Sequence, residues 1–319
     1  MSSRTVGKWL LGCAGLVYGA VAGGGFVRRT DSAASIVDWN LLLGIIPPFG
    51  QAQWQEEFER YKTFPIYKFK SQSGDGEMSL TSLSQATSWN TFTECGVELL
   101  AWSFSCLIKM ILAGSLIVSQ GLIGWWMVES GLDPSQNTSS DIPRVSQYRL
   151  TAHFTMATTL YSLFLYTGLS NLLNYHDYSE VPHIGKLRSL TSGCKVLIFT
   201  TVIMGAFVAG LNAGTVCNTW PKYDGHWIPE NIFAKHPAWK NFFENQVTVQ
   251  FMHRNLAYLT FGIVALTWLV GPVFMQMSSG LSTLLSRTNS FFATLHQNES
   301  LLLISMIIWL SNELKKVIK

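Results

Sequence analysis

Charge is scarce in this chain. Of 319 residues only 13% are Asp, Glu, Lys or Arg, against roughly 25% in soluble domains. The scarcity is concentrated. No charged residue lies between Lys8 and Arg28, and uncharged runs extend over Met110–Val128, Leu150–His176, Val196–Pro221 and Asn255–Ser286, while Thr288–Asn312 carries only Glu299. Histidine is absent before His153. The five cysteines (Cys13, Cys95, Cys106, Cys194, Cys217) include no CxxC pair, and several fall inside apolar runs. They read as small hydrophobes, not as a thiolate metal site or a disulfide framework. Dense Lys/Arg blocks with interleaved aromatics are also missing, and the net charge is only +3, so no nucleic acid is expected as a partner. Only Arg4 and Lys8 precede the first run, too little for a transit peptide.

What is present is apolar length. About 20 apolar residues span a bilayer as a helix, and lipid offers no hydrogen-bond partner to an unpaired backbone group. Six such runs predict an all-α integral membrane protein, with membrane lipid as its surroundings. The connection Asp177–Lys195 carries Lys186, Arg188 and Lys195, and the chain ends Lys315-Lys316-Val317-Ile318-Lys319. These basic stretches are expected on the inner face.

Two polar, aromatic-rich loops, 28–95 and 214–248, read as caps on the outer face. They share landmarks. Trp54-x-x-x-Phe58-Glu59 begins 35 residues after Gly19 of one Gly/Ala run, and Trp239-x-x-x-Phe243-Glu244 begins 34 after Gly205 of another. The spacing predicts an internal duplication: an N-terminal half-bundle, 1–175, with the first cap, and a C-terminal half-bundle, 190–319, with the second. Membrane proteins often place functional sites within or between such repeats.

An ionisable side chain inside a span is costly and is a functional candidate by default. His153, His253 and His296 each stand near the start of an apolar run; His176, His183, His226 and His236 fall in polar loops, where solvation explains them. The 42 residues between His253 and His296 supply about 63 Å of helix, against about 60 Å for two crossings. Gly271-Pro272 is the predicted turn. Two imidazoles at one depth on neighbouring helices can hold one haem iron from opposite faces. Arg149 and Arg254, beside the histidines, suit haem propionates. Met252, Met275 and Met277 read as packing.

Several blocks resemble mitochondrial haem A synthase: Val6-Gly7-Lys8-Trp9-Leu10-Leu11, Trp54-x-x-x-Phe58-x-x-Tyr61-x-x-Phe64-Pro65, Gly124-Trp125-Trp126-Met127, Asp141-Ile142-Pro143-Arg144 through Leu150, Trp227-Ile228-Pro229-Glu230, His253-Arg254 and His296-Gln297. The resemblance implies a multi-pass enzyme of the mitochondrial inner membrane with two pseudo-repeated four-helix half-bundles. It would oxidise the C8 methyl of haem O to a formyl group, giving haem A for cytochrome c oxidase assembly. His253 and His296 would ligate a haem b iron in the C-terminal half. His153 would face the substrate haem O in the N-terminal half as a catalytic and iron-facing residue. A ferredoxin-type electron donor and haem O synthase are the implied partners; a homo-oligomer is compatible with the sequence.

The chain also departs from the family. The Glu-x-x-His-Arg motif of its second helix is absent, and 81–107 carries unrelated, shorter sequence in its place. The stretch 95–128, broken by Lys109, is short for two crossings; Ser278–Ser290 is rich in Ser and Thr; Glu299 stands where small residues are usual. The expectation is therefore six to eight helices, with the second and seventh shortened or damaged. Two further readings follow: a non-catalytic b-type membrane cytochrome, or an inactive splice or gene-model variant of the synthase. A transporter is disfavoured, because the ionisable groups are paired histidines near one face.

Overall fold

A computed structural model describes residues 3–29, 50–63, 67, 108–132, 144–174, 176–267 and 270–315. Among these, nine α-helices and two 3-10 turns form, and the only β pairing is one isolated bridge between Tyr223 and His226. The helices are α1 (Ser3–Arg29), α2 (Gln51–Tyr61), α3 (Ile108–Leu132), α4 (Gln147–Leu172), α5 (Ile184–Gly210), α6 (Asn241–Glu244), α7 (Gln246–Ala265), α8 (Val270–Leu285) and α9 (Ser290–Glu313). Arg4–Phe26, Ile184–Gly210 and Ser290–Glu313 are each long and apolar enough to cross a bilayer. The protein is an all-α, multi-pass membrane protein.

Two compact units form: Leu16–Ala157, and Met1–Gly15 with Thr158–Lys319. In the second, α5 packs on α7, α7 on α8, α8 on α9, and α9 back on α5, closing a ring of four helices. Cys194, Ile198, Val264, Leu301 and Ile307 are buried in it. Its basic end is tied by side chains. Arg188 Nε donates to the Leu314 carbonyl at 2.6 Å and Lys195 Nζ to Ser311 Oγ at 2.8 Å, placing cations against the negative end of the α9 dipole. The C-terminal half of α4 joins α9 through Tyr161 Oη and Ser305 Oγ, 2.6 Å apart, and Ser170 Oγ donating to Asn312 Oδ1 at 2.7 Å.

The descent and return between His253 and His296 differ from expectation in one respect. Gly271-Pro272 is not the turn: both residues lie in the first turn of α8, while α7 ends at Ala265. Proline is harmless there, because a first-turn N–H has no helical partner to lose. The return turn, Ser286–Asn289, holds Arg287 and Thr288 in the left-handed region, φ 53 and 66°. The C-terminal cap clamps it. Asn218 Nδ2 donates to the Leu284 carbonyl at 2.9 Å, and a Cβ on Gly214 would lie 2.5 Å from Thr288 Cγ2, so only glycine fits. With 16 residues, α8 spans about 24 Å, short as expected for the seventh helix of the plan.

The same cap sits on the start of α7. Gln246 Nε2 donates to the Leu211 carbonyl at 2.7 Å, and Asn245 Nδ2 donates to the Asn231 carbonyl at 2.9 Å. Asn245 also caps α7, its Oδ1 accepting from Val247 N, and Asn289 caps α9 likewise from Phe291 N, both at 3.0 Å. Both helices that carry a histidine in this bundle thus begin from a fixed N-terminal turn.

In the unit Leu16–Ala157, Ile108–Leu132 is one continuous helix with Lys109 in its first turn. The family's second helix, expected over 81–107, lies outside the described residues. The junction of α3 and α4 is held by buried Ser130, whose Oγ accepts from Ser146 N at 2.8 Å. Both cap landmarks are helical: Trp54 and Phe58 in α2, Trp239 and Phe243 across the 3-10 turn Ala238–Lys240 and α6.

Candidate functional site

His253 lies seven residues into α7 and His296 six residues into α9. Their rings meet at one level, centroids 6.4 Å apart and planes at 81°. His253 Nδ1 is 3.2 Å from the Thr201 carbonyl of α5, and His296 Nδ1 is 3.1 Å from the Gln276 carbonyl of α8. A carbonyl only accepts, so each Nδ1 carries the proton and donates. Each Nε2 is then the nitrogen with the lone pair.

Glycines make the room. A Cβ on Gly205 would lie 3.1 Å from His253 Cε1, and one on Gly280 only 2.7 Å from His296 Cε1. The His296 ring is further surrounded by Gln276 Nε2, 3.1 Å from Nδ1, and Ser279 Oγ, 3.3 Å from Nδ1. Ser279 Oγ in turn donates to Glu299 Oε2.

Arg254 follows His253 in sequence and is buried. Its Nη2 donates to the Pro221 carbonyl at 3.1 Å and its guanidinium lies 4.0 Å over the Tyr223 ring, yet Nε and Nη1 have no partner. Gln250 Oε1, one turn earlier, is also buried without one. An unpaired buried cation is costly, and an anion would satisfy the Arg254 donors, whereas Gln250 Oε1 would need a donor of its own. In the cap, burial pushes the Tyr223 hydroxyl up to about 12 despite the opposing Arg254 charge, and burial first, then Asp224, pushes the Cys217 thiol up to about 11.

His153, six residues into α4, belongs to the other unit. Its Nε2 lies 3.4 Å from Gln120 Nε2 of α3, its Nδ1 is buried without a partner, and a Cβ on Gly124 would lie 2.8 Å from its Cε1. Arg149, one turn before it, donates from Nη1 to the Trp126 carbonyl at 2.8 Å and lies 4.5 Å over the Trp126 ring. His176, His183, His226 and His236 are all exposed; the His226 ring lies 3.7 Å from exposed Glu230. Met252 packs against the Met204–Phe207–Val249 cluster, and Met275 is half-exposed.

Sequence reasoning singled out the histidines but missed their cradles. Gln120-x-x-x-Gly124 faces His153, and Gln276-x-x-x-Gly280 faces His296. The Gln-x-x-x-Gly repeated on the helices before His153 and His296 is the signal that could have found these two; Gly205 facing His253 follows Thr201 instead.

Among the described residues no three of His, Cys, Asp and Glu converge on a point that could hold a metal ion. Two imidazoles alone are too few for a bare cation, whereas a porphyrin supplies the other four ligands of an iron. The two rings stand 6.4 Å apart between centroids, close enough for both to serve one such group. The paired rings, the fixed tautomers and the unpartnered Arg254 donors fit a haem with anionic propionates.

The chain matches the family described as cytochrome oxidase assembly protein over residues 7–94 and 99–308. Heme A synthase COX15 of Bos taurus is 38% identical over 352 residues, covering 100% of this chain and 84% of its own length. Heme A synthase COX15 of Saccharomyces cerevisiae is 32% identical, covering 99% and 76%, and heme A synthase of Nitrosospira multiformis 34%, covering 98% and 94%. The alignment with the Bos taurus relative is longer than the chain itself, so that relative carries internal residues that this chain lacks. The chain belongs to the cytochrome oxidase assembly protein family.

Proposed function

We propose that this protein is a haem A synthase of the mitochondrial inner membrane, oxidising the C8 methyl of haem O to a formyl group for cytochrome c oxidase. The observation that carries the reading is the His253–His296 pair: rings 6.4 Å apart, each with Nδ1 on a backbone carbonyl. His253 and His296 would hold a haem b through Nε2. That group supplies one-electron chemistry when bound. The residues orient it: Gly205 and Gly280 set the ring positions, and the free Arg254 donors take a propionate. His153, with buried Nδ1 unpartnered and Gly124 against its ring, faces the substrate haem O in the other half. Gln120 holds that ring by a single 3.4 Å contact, where carbonyls hold the other two. Looser seating suits a ligand that exchanges as substrate leaves as product. A ferredoxin-type partner would exchange electrons with the resident haem, and the oxidation of the methyl would need a separate terminal oxidant. The family name and the relatives' names support the reading.

A second reading has its own observation: no histidine precedes His153, so the family's Glu-x-x-His-Arg motif is absent. It favours a haem-b-binding membrane protein without turnover. Two measurements separate the readings. Purified protein shows a low-spin bis-histidine spectrum that His253→Ala and His296→Ala abolish; absence of haem from the intact protein removes both readings. Expression in cells lacking their own synthase then yields haem A for an enzyme and none for a cytochrome.

A further inference from the structure

Glu299 is a carboxylate inside an otherwise uncharged helix run. Ser279 Oγ donates to its Oε2, and both residues are buried. A carboxylate in such a place is costly. Its position gives it a use. Ser279 lies one residue before Gly280, whose missing Cβ admits the His296 ring, and Ser279 Oγ is 3.3 Å from His296 Nδ1. The serine has one proton. Facing both a carboxylate and the Gln276 carbonyl, it gives that proton to the carboxylate, the stronger acceptor. Its oxygen is left to share the one His296 Nδ1–H with the Gln276 carbonyl, 3.3 Å away against 3.1 Å. The chain of contacts runs Glu299, Ser279, His296. Both histidines set Nδ1 on a neutral backbone carbonyl, Thr201 for His253 and Gln276 for His296; among the described residues only His296 has a serine and a carboxylate beside that contact.

We infer that Glu299, acting through Ser279, is a positioning residue that makes His296 the more strongly donating of the two imidazoles and thereby lowers the reduction potential of the haem they hold. A hydrogen bond from Nδ1–H toward an anion raises the basicity of Nε2. A stronger donor and a nearby negative charge both favour the oxidised iron. The inference rests on the proposed haem site and adds an asymmetry between its two ligands. In the protein's work this asymmetry sets how readily the resident haem passes its electron on.

The test is redox titration of purified, haem-loaded full chain, followed by its visible spectrum, with Ser279→Ala, Glu299→Gln, the double variant and Ser279→Thr. Wild-type protein without haem removes the site itself, and the relay with it. With haem bound, the relay requires Ser279→Ala and Glu299→Gln each to raise the midpoint potential at unchanged haem content. It also requires the double variant to shift no further than Glu299→Gln alone, and Ser279→Thr, which keeps the hydroxyl, to restore the wild-type value. A wild-type potential in Ser279→Ala overturns the relay while leaving the haem site standing, because charge acting through space does not need the serine. Additive shifts in the double variant overturn it too.

Discussion

Gly280 and His296 share one space: a Cβ at position 280 would sit 2.7 Å from His296 Cε1 and 3.1 Å from Nδ1. The ring lies in a notch on α8, and its Nδ1 reaches the Gln276 carbonyl one turn away on the same helix. Glycine and carbonyl together fix both where the imidazole stands and which nitrogen it offers.

Gly280→Ala therefore strikes the site more than the fold. Overpacking of one methyl costs about 1–3 kcal/mol, and here the yielding part is the ring. Haem occupancy is expected to fall roughly 10–100-fold, the scale of losses when a ligand's support is removed, with helicity by circular dichroism unchanged. Gly205→Ala, whose Cβ would lie 3.1 Å from His253 Cε1, has the smaller effect. Gly262→Ala, with open space at its Cβ, is the control and keeps full occupancy.

Arg254 offers a second handle. Two of its buried guanidinium donors lack partners while a third bonds the Pro221 carbonyl. Charged hydrogen bonds contribute about 1.5–3 kcal/mol each. Arg254→Ala should weaken haem retention by roughly tenfold or more, measured as the rate of haem transfer to an apo-acceptor protein. Arg254→Lys should rescue poorly, since an ammonium lacks the planar fork. Retention equal to wild type in both variants would assign Arg254 to the cap alone, through Pro221 and Tyr223.

Much of this was legible in the sequence, and the reasons are physical. Hydrocarbon demands about 20 apolar residues in a row, so α1, α5 and α9 announce themselves. An imidazole in an apolar run is rare, so His153, His253 and His296 stand out. The turn was misread because Gly-Pro marks turns in water-exposed chain yet is equally at home in a helix's first turn; the break comes earlier, where Thr267 Oγ1 folds back on the Val264 carbonyl at 2.7 Å. The cradles were hidden because a neutral glutamine and a glycine in a membrane helix carry no charge signal. Glu299 did carry one, but its partner Ser279 lies twenty residues away.

Base should loosen the C-terminal cap at a defined pH. Tyr223 is buried and its hydroxyl is pushed up to about 12, mainly by burial, against about 10 in the unfolded chain. Between those values the folded cap keeps a proton that the unfolded chain has lost, so stability present below pH 10 declines as pH rises through 12. Thermal melts of the detergent-solubilised protein between pH 9 and pH 12 should show this decline, and Tyr223→Phe should flatten it. An equally steep decline in Tyr223→Phe would assign it to other tyrosines.

Gly124→Ala separates the two halves of the protein. A Cβ there would lie 2.8 Å from His153 Cε1 and 3.2 Å from Nδ1, so the ring must leave its seat beside Gln120. His153 lies in the unit Leu16–Ala157, whereas His253 and His296 lie in the unit that holds residues 158–319. If His153 faces the substrate, Gly124→Ala leaves the bis-histidine spectrum intact while haem O binding and haem A formation both drop, roughly tenfold or more. Gln120→Leu, which removes the 3.4 Å contact to Nε2 but leaves the glycine notch, should give a milder loss of the same kind. Wild-type haem O binding in both variants would take His153 out of the substrate site. Loss of the bis-histidine spectrum would instead mean that the resident haem depends on His153.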